Sequence, residues 1–202
     1  MSPAPASWPD RPDTADLPAV HGPIPPWSAG PAPAPRPVRL SSRFMLSHPA
    51  HVIALGFGSG LAPWAAGTAG TLWAWLVFAW LGDGLSAATW GLVIAAALPL
   101  GWWACTRTAE HAGQADPGAI VWDEIVAFWI VLWLLAPASW WLQALAFGLF
   151  RYFDAAKPGP VGWADQRFKG RGWRGGFGIL FDDLVAAGCT LLVLAVALRI
   201  LR

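Results

Sequence analysis

Outside the first forty or so residues, most acidic side chains fall in short clusters at the edges of long apolar segments: Asp123-Glu124, Asp154 and Asp182-Asp183. An ionised carboxylate beside a bilayer's hydrocarbon is expensive unless it is paired, metal-bound or facing a polar cavity. Recurrence in one kind of position points to a single site assembled by folding. Four or five carboxylates converging near Lys157 would form a hard-oxygen environment suited to Mg²⁺, which takes one or two carboxylates and completes its shell with water and substrate phosphate. Metal-assisted phosphate chemistry follows, with Lys157 or a nearby Arg offsetting developing charge. Water is the favoured nucleophile and an aspartyl-phosphate the alternative. Which acids bind metal and which activates the nucleophile stays open.

Each acid has a plainer reading as an interfacial charge or a helix cap, and Asp182-Asp183 are expected to open a helix. Capping does not explain adjacent acids at two separate helix starts. Two glycine-rich stretches, Gly67-Thr68-Ala69-Gly70-Thr71 and Gly175-Gly176-Phe177-Gly178, suit backbone N–H groups cradling an anion, with the Thr68 and Thr71 hydroxyls adding donors. Close helix packing is the competing use of such glycines. Gly56-Phe57-Gly58-Ser59-Gly60 lacks the following Lys of a Walker loop.

Composition sets the class. Apolar residues make up 56% of the 202 and charged ones only 12%, far from soluble-globular usage. Stretches 52–82 and 84–106 contain no Asp, Glu, Lys or Arg, and each exceeds the roughly 20 residues that span a bilayer. Sixteen Trp, many near segment ends, fit interfacial aromatic belts. A net charge of +1 without a basic stripe argues against nucleic acid as a partner. Cys105 and Cys189 are isolated in apolar surroundings and read as spectator thiols.

The elements that position the acids follow. Residues 1–45 are Pro/Ala-rich and are expected to form a disordered tail, without the apolar centre of a signal peptide. Residues 46–202 form the membrane domain, an all-α polytopic bundle of about four to five transmembrane or membrane-embedded helices. The first helix includes Leu72 to Leu81, Gly82-Asp83-Gly84 is a turn, and Leu85 to about Cys105 is the second helix. Ile125 to Phe150 could be one span or a hairpin broken at Ala136-Pro137-Ala138. Each half rises only about 20 Å at 1.5 Å per residue, so a hairpin's helices must extend to about Ala119 and Asp154. The hairpin is favoured because it collects eleven of the thirteen Lys and Arg on one face, which the positive-inside rule makes cytoplasmic. All the acid clusters fall on that face.

With these residues in place, the stretch from His51 to Leu198 resembles the phosphatidylglycerophosphatase A family. The likeness rests on five ordered blocks: 56–60, 67–71, 116–124 (DPGAIVWDE), 150–158 (FRYFDAAKP) and 175–183 (GGFGILFDD). It implies a Mg²⁺-dependent, all-helical inner-membrane phosphatase that converts phosphatidylglycerophosphate to phosphatidylglycerol and phosphate. It further implies catalytic and metal-binding roles for Asp123, Glu124, Asp154, Asp182 and Asp183. Lys157 and Arg151 would bind phosphate, supported by Gly67, Thr68, Gly70, Thr71, Gly175 and Gly176. Residues 166–174 are longer and more basic than the family's usual connection, which bears on how that loop closes over the site. Two other readings stand beside this one: a phosphatase of a prenyl phosphate or phosphatidic acid, and a small cation-binding transporter subunit.

Overall fold

A computed structural model describes residues 38–201, and among these the chain is all-α. In order come α1 (Ser42–Met45), α2 (Pro49–Ala54), a 3-10 stretch (Gly56–Leu61), α3 (Ala66–Leu81), α4 (Ala87–Ala112), α5 (Trp122–Leu135), α6 (Trp140–Ala156), α7 (Pro160–Arg167) and α8 (Gly172–Ile200). The tail expectation lies outside the described residues up to position 37, and within its last part Ser41 caps α1.

The bundle is organised around α5. It is apolar on every side after its first turn, as a helix surrounded by others must be. Ile125, Phe128 and Val131 are fully buried, and α5 packs against α3, α4, α6 and α8. It stops where Ala136 turns extended before Pro137, a residue that cannot continue a helix. Ser139 then caps α6 by accepting from the Leu142 N–H at 3.4 Å. The stretch from Ile125 to Phe150 is thus a hairpin, and its ends meet: Arg151 Nη1 on α6 lies 3.8 Å from Glu124 Oε1 on α5.

Helices α4 and α8, with 26 and 29 residues, are each long and apolar enough to cross a membrane. Both exceed the expected bounds. The polar stretch after Cys105 stays helical to Ala112 because Thr106, Thr108, Ala109 and Ala112 remain buried, and it ends at Gly113 in the left-handed region. A second correction concerns Asp182-Asp183, which do not open a helix. Helix α8 starts at Gly172, and the pair lies well inside it. The glycines at 175–178, which suited either an anion cradle or close packing, are helical, and packing needs them bare. A Cβ on Gly176 would collide with Thr106 Oγ1, and one on Gly178 would come within 2.7 Å of the Phe168 carbonyl. Tertiary contact here overrides the low helix propensity of glycine. Cys105 is buried and Cys189 half-buried, both as free thiols.

Short contacts tie α2 to the start of α5. His51 is 2% exposed and stacks on Phe44. Its Nδ1 lies 2.9 Å from the Phe44 carbonyl and its Nε2 2.9 Å from His111 Nδ1 on α4. A carbonyl only accepts, so in neutral His51 Nδ1 donates and Nε2 accepts from His111. Anchored this way, α2 presents the Ala54 carbonyl to the Val121 N–H at 2.9 Å, immediately before Trp122 and Asp123. Burial lowers the His51 pKa from its ordinary 6.5, outweighing the Phe44 bond. The neutral form is therefore the one folding favours, so its stabilisation is complete above about pH 6.5 and declines as pH falls through the lower folded value. His51→Asn is expected to lower the melting temperature in detergent at about pH 8, and the gap between wild type and variant should shrink as the pH falls below about 6.5.

Candidate active site

Four helices bring their polar residues to one end of the bundle. The first turn of α5 supplies Asp123 and Glu124, the last turns of α6 supply Arg151 and Asp154, the interior of α8 supplies Asp182 and Asp183, and the start of α3 supplies Gly67. One carboxylate oxygen each from Asp123, Glu124 and Asp183 lies within 4.8 Å of the others. Asp123 Oδ1, Glu124 Oε2 and Asp183 Oδ2 are buried without a hydrogen-bond partner. Unpartnered buried carboxylate oxygens are costly, and three facing one another compound the cost. A cation removes it. This all-oxygen donor set fits a hard divalent ion, and among the described residues these three form the group that could hold it.

Arg151 borders the trio. Its Nη1 bonds Asp154, reaches Thr71 Oγ1 at 3.4 Å and faces Glu124, while its Nε has no partner. The Thr71 hydroxyl donates to the Gly67 carbonyl at 2.8 Å. Gly67 lies in the first turn of α3 rather than in a loop, and its lack of a side chain makes room for the pair across from it. A Cβ there would collide with Glu124 Oε1 and come within 2.9 Å of Arg151 Nη2. Gly70 has a different neighbour, since a Cβ on it would stand 2.7 Å from Val121 Cβ. Thr68 lies between them in the same first turns of α3, half-buried. No side chain caps this helix start, so its first N–H groups keep their donor capacity.

A second cluster adjoins the first. Lys157 ends α6 in the left-handed conformation, φ 47° and ψ 48°. Its Nζ lies 2.6 Å from Asp182 Oδ2 and 2.6 Å from Asp165 Oδ1, and the other Asp165 oxygen is 2.8 Å from Lys169 Nζ. Burial alone would lower the Lys157 pKa, but the bonds to Asp165 and Asp182 outweigh it and hold it above the ordinary lysine value. Burial would likewise raise Asp165, and its bonds to Lys157 and Lys169 prevail and hold it low.

The sequence-predicted acids thus separate. Asp123, Glu124, Asp154 and Asp183 group with Arg151, whereas Asp182 turns to Lys157. A cavity of about 270 Å³ opens beside the second group, lined by Asp116, Asp165, Phe168, Lys169, Gly175 and Asp182 among others. Gly175 borders that cavity, and Gly176 instead packs on Thr106. The connection 166–174 is pinned: Phe168 packs edge-on against Phe177 and Phe181, and Arg174 Nη2 donates to the Arg167 carbonyl at 3.2 Å. Asp165 escaped the sequence reading because it sits in a polar segment rather than at an apolar edge. The signal for it was Pro158-Gly159-Pro160, a forced reversal that folds α7 back toward Lys157.

Comparison with known proteins gives the family. The family model described as Phosphatidylglycerophosphatase A matches residues 52–198. Phosphatidylglycerophosphatase A of Escherichia coli (strain K12) is 41% identical over 145 residues, covering 72% of this chain and 81% of that protein. The Haemophilus influenzae protein of the same name is 39% identical over 146 residues, covering 72% and 86%. A Bacteroides thetaiotaomicron relative, provisionally named phosphatidylinositol-3-phosphatase, is 36% identical over 154 residues, covering 72% and 91%. No solved structure matches. With the family model spanning nearly all of the described bundle, and curated relatives matched over most of their length, the chain belongs to the phosphatidylglycerophosphatase A family of phosphatases.

Proposed function

We propose that this protein removes the terminal phosphate monoester of phosphatidylglycerophosphate, with Mg²⁺, to give phosphatidylglycerol and inorganic phosphate at the cytoplasmic face of a bacterial inner membrane. The observation that carries the proposal is the trio of buried, unpartnered carboxylate oxygens beside Arg151 at one end of an apolar bundle. A membrane setting is supported by the outward faces of α3, α4 and α8, which carry exposed Leu72, Leu76, Trp80, Leu92, Leu192 and Val196. In this reading α3, α4, α5, α6 and α8 are the membrane helices, and the substrate's acyl chains stay in the bilayer while its headgroup enters the polar end. Family membership sets aside the transporter reading of the acids.

Asp123, Glu124 and Asp183 would hold the ion, which when bound offsets the charge of the phosphoryl oxygens. Arg151 stands on the other side of Glu124, with its Nε–H free to donate to a phosphoryl oxygen. Lys157 contributes a second fixed positive charge. Water attacks phosphorus and gives up a proton, the P–O bond to the glycerol oxygen breaks, and that oxygen takes up a proton in exchange. Asp154 bonds the guanidinium directly and would orient Arg151.

A second reading has specific support, because one relative's name refers to a phosphoinositide. Both substrates present a phosphate monoester on a polyol headgroup, so the chemistry is shared and the headgroup differs. Rates on vesicles carrying phosphatidylglycerophosphate, phosphatidylinositol 3-phosphate or phosphatidic acid separate them, and the proposal expects the first to be hydrolysed fastest.

Phosphate release from phosphatidylglycerophosphate vesicles should cease with EDTA and return with Mg²⁺. Asp123→Asn and Asp183→Asn are each expected to reduce kcat/KM by on the order of 100-fold or more, and rates near wild type in both would sink the assignment. Gly67→Ala should push Glu124 and Arg151 apart and lower kcat/KM roughly tenfold or more, with the melting temperature little changed. An unaltered rate would mean that Gly67 serves packing alone.

A further inference from the structure

Asp165 has no role in the scheme above, yet it makes the most complete set of charged contacts in the cavity wall. One oxygen meets Lys157 Nζ at 2.6 Å and the other meets Lys169 Nζ at 2.8 Å. Lysine carries a flexible four-carbon stem, and a freely rotating ammonium is a poor fixed electrostatic partner. Here the backbone and two carboxylates restrain it together. Lys157 adopts a left-handed conformation that few non-glycine residues take, which ends α6 and turns the chain into Pro158. Helix α7 then returns Asp165, eight positions on, to the same ammonium that Asp182 holds from α8.

We propose that Asp165 is a positioning residue: it fixes the Lys157 ammonium beside Asp182, at the border between the carboxylate trio and the cavity, where a substrate phosphoryl group would meet it. This rests on the phosphatase reading of the site. Without Asp165, Lys157 keeps Asp182 as its one carboxylate partner, and its ammonium is free to swing about that contact. Asp165 is not needed merely to seat α7, because Val161 and Ala164 on that helix are already fully buried against the bundle. A Cβ on Gly162 would in addition come within 2.6 Å of the Lys157 carbonyl, so backbone contact joins the two segments independently of the charge pair. Lys169 is 68% exposed at its side chain and marks the solvent end of the chain of charges.

A double-mutant cycle on the full-length protein tests this, with phosphatidylglycerophosphate vesicles and Mg²⁺. Asp165→Ala is expected to lower kcat/KM roughly ten- to a hundredfold, as misplacement of a binding group does. Asp165→Glu should recover part of the loss. The loss should vanish in the Lys157→Ala background, so that the double variant is no worse than Lys157→Ala. A merely structural Asp165 would instead give losses that multiply, and that result overturns the inference, as does an Asp165→Ala rate within about twofold of wild type. If Asp165→Ala does not fold, Asp165→Asn, of equal size but uncharged, carries the same cycle and the same two outcomes. A wild-type protein that releases no phosphate from any of the lipids would overturn the substrate reading first and the inference with it. An active wild type with multiplicative losses overturns the Asp165 role alone.

Discussion

Repulsion among Asp123, Glu124 and Asp183 is the constraint around which the bundle is arranged. Two like charges about 4 Å apart at an effective dielectric near 20 repel by about 4 kcal/mol, and burial adds a desolvation cost to each. Among the described residues one cation, Arg151, lies beside the trio, and it already serves Asp154. Other polar side chains of these helices are engaged elsewhere, Gln143 with the Ala138 carbonyl, Arg174 with the Arg167 carbonyl and Thr190 with the Ala186 carbonyl. Rigidity is what the helices supply. Helix α5 is enclosed by four others, its start is held by the Ala54–Val121 bond, and the indole of Trp122 donates to the Ala97 carbonyl at 3.1 Å across from Gly101. Such a frame keeps acids from separating to relieve their repulsion, which leaves binding a cation or a proton as the available relief.

Adjacent acids on a helix point about 100° apart, and this explains how one sequence pair serves two surroundings. Asp183 turns toward α5 and joins the trio, while Asp182 turns toward α6 and α7 and bonds Lys157. The DD pair is thus a junction between an anionic centre and a paired, charge-balanced one. Lys157 and Lys169 offset Asp165 and Asp182, which leaves Asp116 as the acid of the cavity wall outside these ion pairs. A phosphorylated headgroup spanning both would meet its strongest field at the trio and a milder, more polar environment beyond it.

How far the sequence revealed this depended on the type of signal. Pro137 in the middle of an apolar run made the hairpin legible, because proline's missing N–H acts locally wherever it stands. The acid clusters were legible for a similar reason, charge at an apolar edge being rare and costly. The start of α8 was not. The glycines at 175–178 suited either an anion cradle or close packing, and the bare backbone's fit against Thr106 and Phe168 shows packing within a helix. The parting of Asp182 from Asp183 was equally hidden, since it depends on which helices flank α8. Asp165 needed the α7 reversal, a three-dimensional fact with only a Pro-Gly-Pro turn to announce it.

The relatives' names sharpen what this division of labour means. Proteins 36 to 41% identical to this chain are named for a glycerophosphate lipid and for a phosphoinositide, which share the monoester and differ in the polyol that bears it. A centre of three carboxylates and an arginine offers charge, which in the proposed reaction would meet the phosphate rather than the polyol. Discrimination between headgroups has to come from surfaces outside that centre that can donate and accept hydrogen bonds. Beside it, the cavity bordered by Asp116, Asp165, Lys169 and the pinned 166–174 connection offers such a surface. In the proposed reaction the headgroup would then be read on α7 and its flanks, the same element whose Asp165 holds Lys157, while α5 and α8 would hold the ion.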